Sequence, residues 1–507
     1  MTSKSSKIEN MCYIAFTIIF VLVMFVITYI NYSSHAFEFD ELYTLSFVSK
    51  HNSFFDMMRI FLTDEVTNPP LYDIFLFIWY RIVPKSVSWL LIPNYIFVVI
   101  AIFAIGYSAY SITKRFRNVL FIAIIVLINP SSYQNMIYYL RSYSMAFMFS
   151  ALFLWNYIEL KKNCSRKNLF KLTICSVCLT MSHYYGILFI AAFGIVTLFF
   201  IIKHKIKRIS LIAYIMPCLI TGSYLCIAFM HKTKDLTSFL GAEPSLKSLF
   251  SIMEMAVTDK DVVYAMVLVL LLYFGLLFRK KKNSKKYEER DIILFESIWC
   301  TCFVVSVAFI YAKISPKGST YILKYFTVIL PCIYYVFVYS LEYCISELIF
   351  VLNKKISWNK DMLQIIIFAL FLFMQSYLLV RWNIVGRLKG KFEEVPKTKN
   401  MAEYIKEKNN VVGDSVILVY KMKKNQWDVA KYPSAGLNEF YFDDSAAITD
   451  NISEAKEHKR VYLYYNLFAG DAIDGEKVNE QVEADMSGFH IVKVCSDDMG
   501  MIIFEKS

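Results

Sequence analysis

Charge is scarce in this chain. Only 19% of its 507 residues are Asp, Glu, Lys or Arg, where soluble domains carry about 25%. That shortage, set against the apolar content below, excludes a soluble globular enzyme and a disordered chain alike. Glycine is also scarce, at 15 residues, which excludes a collagen-like fibre. No Gly-rich loop of the phosphate-cradling kind occurs. No His, Cys and Asp stand at metal-ligand spacing, so no structural metal is expected. Cysteine is present, at 11 residues, yet it offers no disulfide framework. Cys12, Cys175, Cys178, Cys218, Cys226, Cys300, Cys302, Cys332 and Cys344 lie in apolar stretches and read as small hydrophobes. Cys175 and Cys178 lack the βαβ setting of a redox pair, and only Cys495 falls in the polar C-terminal region.

What fills the chain is apolar. Hydrophobic residues make up 57% and aromatics 17%, and the mean hydropathy is +0.45. Apolar runs near the length of a membrane-spanning helix recur throughout. The first, from Met11 to about Ile30, follows Lys4 and Lys7 and reads as an uncleaved signal anchor. Further spans are expected at 90–112, 118–131, 142–160, 168–182, 184–202, 208–230, 262–279, 291–312, 321–342 and 361–382. The total is about 11. The formal net charge is +12. Because the cations sit in short loops between apolar runs, they are a topology signal and not a nucleic-acid footprint.

That signal fixes the expected orientation. Lys114/Arg115/Arg117, Lys161/Lys162/Arg166/Lys167, Lys203/Lys205/Lys207/Arg208, Arg279 to Arg290 and Lys354/Lys355/Lys360 all fall on one side when 54–84 is a juxtamembrane segment. The N-terminus is then cytoplasmic. Residues 32–89 become the first outer loop, and everything after about 383 lies outside. The expected fold is a mainly α, polytopic helical bundle (1–383) in the cell inner or plasma membrane. A small extracytoplasmic mixed α/β domain (384–507) follows. Its strand-like runs are Val416–Tyr420, Val461–Tyr465, His490–Val494 and Met501–Phe504, with helices at Met401–Asn409 and Ile452–Lys459.

The chemistry-bearing residues collect on the outer side. Asp40 and Glu41 follow the first span; adjacent on a helix, they point apart, so one carboxylate faces a reaction while the other holds structure. The bland alternative is an acidic helix start. Asn68-Pro69-Pro70-Leu71-Tyr72 sets the direction of an aromatic, amphipathic helix. Arg141, before Ser142-Tyr143, either snorkels to headgroups or clamps a lipid phosphate with its forked donors. His183, in Ser182-His183-Tyr184-Tyr185-Gly186, is either a turn residue or a substrate contact. Lys313, Lys317 and Lys324 crowd a boundary that should be poor in cations, which calls for an anionic ligand. An acid able to act as base, an Arg and a Lys at headgroup depth suit transfer from a lipid-linked phosphate donor.

In this order, Asp40-Glu41, Asn68-Pro69-Pro70-Leu71-Tyr72, Arg141-Ser142-Tyr143, His183-Tyr184-Tyr185-Gly186 and Lys324-Tyr325 resemble the GT-C superfamily of integral-membrane glycosyltransferases. The group most similar holds protein mannosyltransferases, lipid A aminoarabinose transferase and lipopolysaccharide-core transferases. The resemblance covers about residues 10–383. It implies an inverting transfer from a polyprenyl-phosphate-linked sugar to a hydroxyl of an envelope glycan, lipid or protein, on the extracytoplasmic face. Asp40 is then the base and Glu41 the supporting acid. Asn68, Tyr72, Arg141, Tyr143, His183, Tyr184 and Lys324 are then substrate-binding positions. Asn68 replaces the usual His or Lys, and Lys324 replaces an Arg, so a hydrogen bond stands in for one charge and a point charge for one fork. No cofactor is implied, although paired acids at Asp40 and Glu41 would accept a labile divalent cation. The competing readings are a flippase or transporter of lipid-linked saccharide, a polymerase of such saccharides, and a noncatalytic scaffold. A transporter would place its ionisable groups near mid-membrane.

Overall fold

The computed structural model describes residues 3–32, 37, 39–50, 53–63, 69–203, 207–231, 244–257, 260–283, 289–314, 321–355, 414–420, 447–466, 473–474, 477–478, 480–495 and 499–507. The expected span 361–382, the helix Met401–Asn409, the domain boundary near 383, Asn68 and Lys317 lie outside them.

Helix α1 (Ser3–Tyr32) is followed by three short helices, α2 (Phe39–Lys50), α3 (Phe54–Thr63) and α4 (Leu71–Ile82). Pro69 and Pro70 stand directly before α4, where proline costs the helix nothing. Long helices then alternate: α5 (Val87–Thr113), α6 (Arg117–Ile128), α7 (Tyr143–Lys162), α8 (Arg166–Ser182), α9 (Tyr185–Ile202) and α10 (Ile212–His231). Next come α11 (Leu246–Val257), α12 (Lys260–Asn283), α13 (Glu289–Ile314) and α14 (Leu330–Lys355). A 3-10 segment, Leu323–Ile329, leads into α14, and a π turn, Tyr133–Ile137, precedes α7.

Among the described residues six helices are long and apolar enough to cross a membrane: Asn10–Tyr32, Val87–Thr113, Tyr185–Ile202, Arg208–Ile227, Asp291–Ile314 and Leu323–Leu348. Arg117–Ile128 and Val263–Phe278 are shorter apolar helices at two further expected spans. The expected spans 142–160 and 168–182 are α7 and α8. The first is diluted by buried Ser144, Ser150 and Asn156, and the second has only 17 residues. Six helices thus meet both length and hydropathy, against the expected count of about 11.

Burial sorts the helices. The apolar window of α14 is 83% buried and that of α5 67%, whereas that of α1 is only 22% buried. α1 therefore turns Phe16, Ile19, Leu22 and Val26 outward. Its Thr17 and Thr28 hydroxyls donate to the carbonyls of Tyr13 and Met24, which hides them within the helix. α5 and α6 approach so closely that a Cβ on Gly106 would meet Val119 Cα at 2.8 Å, so only glycine fits.

Chain alternation puts Tyr32, Phe39, the turns at 129–142 and 183–184, and the 321–329 segment at one end of the bundle. The basic turns at 114–116 and 163–165, with Lys203 and Arg208, lie at the other. That basic end is braced by buried ion pairs. Arg117 donates from Nε and Nη2 to Glu342 at 2.8 and 2.6 Å, and Lys161 reaches Glu296 at 2.6 Å. Away from water such forked pairs fix geometry more than they add stability.

After residue 413 the chain builds a five-stranded sheet in the order β2-β1-β3-β7-β6 from β1 (Ser415–Val419), β2 (Ala447–Thr449), β3 (Arg460–Asn466), β6 (Phe489–Cys495) and β7 (Met499–Lys506). β1 runs parallel to β2 and β3, while β7 is antiparallel to β3 and β6. A two-stranded ladder, β4 (Ile473–Asp474) with β5 (Lys477–Val478), stands apart. Short helices α15 (Ile452–Ala455) and α16 (Glu480–Asp485) bring Ala455 and Val482 into one core with Val416, Leu418, Val461, Leu463, Ile502 and Phe504. The alternate residues Ile417, Val419, Tyr462, Tyr464 and Ile503 are buried on the opposite face. The four strand-like runs of the sequence thus fall in β1, β3, β6 and β7, and the expected helix 452–459 shortens to α15.

Candidate active site

The first turn of α2 carries Asp40 and Glu41, and helical geometry separates them. Glu41 is fully buried and its Oε1 accepts the N–H of Leu140 at 2.7 Å, which ties α2 to the 139–141 segment. Asp40 is the more open of the two, with its side chain 44% exposed. Its Oδ2 accepts from the Tyr139 hydroxyl at 2.7 Å and from Lys324 Nζ at 3.5 Å. Lys324 also donates to the Tyr139 oxygen at 2.6 Å. Arg141 donates from Nη1 to the Asp40 carbonyl at 3.2 Å and to Thr44 Oγ1 at 2.8 Å.

Two cations thus stand beside one carboxylate at a partly open surface. Burial pushes the Asp40 carboxyl up, but the charges of Arg141 and Lys324 and the bonds from Tyr139 and Lys324 outweigh it and hold it below the usual carboxylate range. Asp40 is therefore ionised at neutral pH.

Aromatic rings wall the site. Tyr139 and Tyr143 stack at 5.7 Å and 16°. His183 meets Tyr325 at 4.9 Å and Tyr143 at 5.5 Å. His183 is buried in the turn between α8 and α9, and its Nδ1 accepts the Tyr185 N–H at 3.2 Å. Burial, then the charge of Arg141, lowers it to about 3, so the imidazole is neutral. A Cβ on Gly186 would meet the Leu179 carbonyl oxygen at 2.8 Å, so glycine permits this turn. Tyr184 is half-buried at the start of α9.

Tyr72, on α4, is buried and donates to Asn94 Oδ1 at 3.1 Å. Asn94, buried in α5, also accepts from Ser144 at 2.8 Å and donates to the Tyr139 carbonyl at 2.8 Å. Of the expected site residues, then, Asp40, Arg141 and Lys324 come together, with Tyr143 and His183 alongside. Glu41 and Tyr72 brace the segment that carries them. Lys313, at the end of α13, is exposed.

Sequence reasoning gave no role to Tyr139, Thr44, Asn94, Tyr325 or Asp73. Asn94 carried a signal, as a polar side chain within an apolar run. Asp73 follows Tyr72 and is buried, which pushes its carboxyl up to about 7 against the opposing charge of Arg141. Nothing in the local sequence marks it.

The fold is shared with solved structures at low sequence identity. The particular likeness is to ArnT from Cupriavidus metallidurans. Its structure bound to undecaprenyl phosphate matches with a TM-score of 0.55 at 10% identity, over 97% of this chain and 98% of that one. The apo structure gives 0.51 at 10% identity, over 97% of each chain. No protein-family model and no curated protein matches the sequence.

Proposed function

We propose that this protein is an inverting glycosyltransferase that moves a sugar from a polyprenyl-phosphate donor to an acceptor hydroxyl at the extracytoplasmic face. The observation that carries this reading is the ionised Asp40 carboxylate held at one end of the bundle beside Lys324 and Arg141. The fold likeness to a protein crystallised with undecaprenyl phosphate supports the donor class. The basic turns at the opposite end support the orientation. The ionisable site groups lie at a bundle end rather than at mid-depth, which favours transfer over transport.

The chemistry needs one base and a cationic cradle. Asp40 takes the proton from the acceptor hydroxyl as that oxygen attacks the anomeric carbon from the face opposite the phosphate. The new carbon–oxygen bond forms as the bond to phosphate breaks, and its electron pair leaves with the lipid phosphate. Lys324 and Arg141 stabilise that developing charge. A phosphate leaves as a stable anion, so no strong general acid is required. The aromatic wall of Tyr139, Tyr143 and Tyr325 offers apolar faces to the sugar ring.

The test compares envelope glycans by mass spectrometry from cells carrying wild type, no protein, or Asp40→Asn. A single sugar lost without the protein and not restored by Asp40→Asn, at equal membrane abundance, is expected. Full restoration by Asp40→Asn removes the mechanism.

A further inference from the structure

At the basic end, the turn from α5 into α6 holds more positive charge than its neighbours neutralise. Arg117 takes both oxygens of Glu342, at 2.8 and 2.6 Å. Lys161 takes Glu296 at 2.6 Å, and Lys162 takes Glu159 at 3.2 Å. Lys162 also donates to the Ser111 carbonyl at 3.4 Å, which brings the end of α7 against the end of α5. Arg115 is left to share Glu342. Its Nη1 reaches an oxygen that Arg117 already holds, at 3.3 Å, and its side chain is 36% exposed. Lys114 is exposed in the left-handed cap of α5 and pairs with no carboxylate among the described residues. Two cations, Lys114 and Arg115, thus stand beyond what these three carboxylates balance. Glu342 holds one of them in place, and a guanidinium has forked donors to spare for a phosphate.

Depth decides which anion fits. The apolar stretch of α1 begins at Asn10, and the apolar helix α6 begins at Arg117. Asn10 Oδ1 accepts the Phe116 N–H at 3.3 Å, so both beginnings meet at this turn. The turn therefore lies where hydrocarbon gives way to headgroups. The rings of Tyr107, Tyr110 and Phe116 follow one another at 5.7 and 4.3 Å, in the manner of aromatics at a membrane interface. Past Asn10, α1 turns Met11, Phe16 and Ile19 outward. That row is a rail for an acyl chain whose phosphate sits at the turn.

We propose that Lys114 and Arg115 form a binding site for the headgroup of an anionic phospholipid, in the leaflet on the basic side of the bundle. The site lies at the opposite end from Asp40 and stands independently of the glycosyl-transfer reading. A lipid whose phosphate is balanced by its own amine leaves the surplus charge in place. A headgroup such as phosphatidylglycerol brings the negative charge that the corner lacks.

The test places full-length protein in nanodiscs of equal parts phosphatidylglycerol and phosphatidylcholine, and native mass spectrometry counts the lipids it retains. Wild type, Arg115→Gln, Lys114→Asn and Arg208→Gln are compared. Arg117 keeps Glu342 paired when Arg115 is lost, and asparagine accepts the positive φ at residue 114. Arg208 is an exposed arginine at the same end. Its loss reports the general attraction of any one basic residue near a membrane surface, about fivefold. Wild type is expected to retain phosphatidylglycerol over phosphatidylcholine by at least about tenfold. Arg115→Gln and Lys114→Asn lose most of that preference, while Arg208→Gln keeps most of it. Equal losses in Arg115→Gln and Arg208→Gln overturn the site, because general attraction does not distinguish positions. Wild type retaining the two lipids alike also overturns it. Added inorganic phosphate that displaces phosphatidylglycerol at equal concentration overturns the lipid as occupant. Should Arg115→Gln fail to fold, a wild-type preference in Lys114→Asn overturns the site on its own.

Discussion

Replacing Asn94 with leucine tests whether the site is positioned from outside itself. Leucine has the same branching but is bulkier, so overpacking at this buried position adds to the loss. Three hydrogen bonds vanish: those from Tyr72 and Ser144, and the one to the Tyr139 carbonyl. Interhelical bonds in membrane proteins average about 0.6 kcal/mol, which gives about 2 kcal/mol for the set. Buried groups left unsatisfied cost about 1–3 kcal/mol each, so that sum is a lower bound. The Tyr139 carbonyl keeps the Arg141 N–H at 2.7 Å but loses its tie to α5. The loss therefore falls on the 139–141 segment, which carries Tyr139 and Arg141. Misplacing a reacting group by about 1 Å costs on the order of 100-fold in rate. Asn94→Leu is expected to lower stability by about 2–3 kcal/mol and transfer by tenfold or more. Thermal unfolding in detergent and sugar transfer in membranes measure the two. Transfer at the wild-type rate, with stability reduced as stated, refutes the claim that Asn94 positions the site.

Two further outcomes follow from the same geometry. Glu342→Gln strips the buried Arg117 of its forked partner at the basic end; stability falls by about 3–5 kcal/mol, read by thermal unfolding, while substrate KM stays unchanged. Asp73, with its carboxyl at about 7 in the fold against about 3.9 in an unfolded chain, binds its proton more tightly when folded. Stability from this group is full below the lower value and is lost as pH rises toward and past the upper one. Asp73→Asn removes that loss, so it unfolds at a higher temperature than wild type near about pH 8, and the advantage shrinks near about pH 4. An advantage of the same size at both pH values refutes the raised carboxyl.

The sequence by itself determined what composition and periodicity encode. Apolar runs placed α1, α5, α9, α10 and α13 because a membrane span is a local property of length and hydropathy. Alternating β-branched and aromatic residues located β1, β3, β6 and β7. Adjacent acids on a helix forced Asp40 and Glu41 apart, and the structure sends one to Tyr139 and Lys324 and the other to Leu140. Asp40, Arg141 and Lys324 were legible as candidates because charge beside a membrane is rare enough to stand out. Only the tertiary structure decided that Tyr139 joins Asp40 to Lys324, whose positions are 284 residues apart. It alone made Asn94 the tie between α4, α5, α7 and the site segment. It also buried Asp73 facing Arg141. The physical reason is common to all three. A hydrogen bond or a desolvated charge depends on what several distant elements bring within about 3 Å, and no local pattern carries that distance.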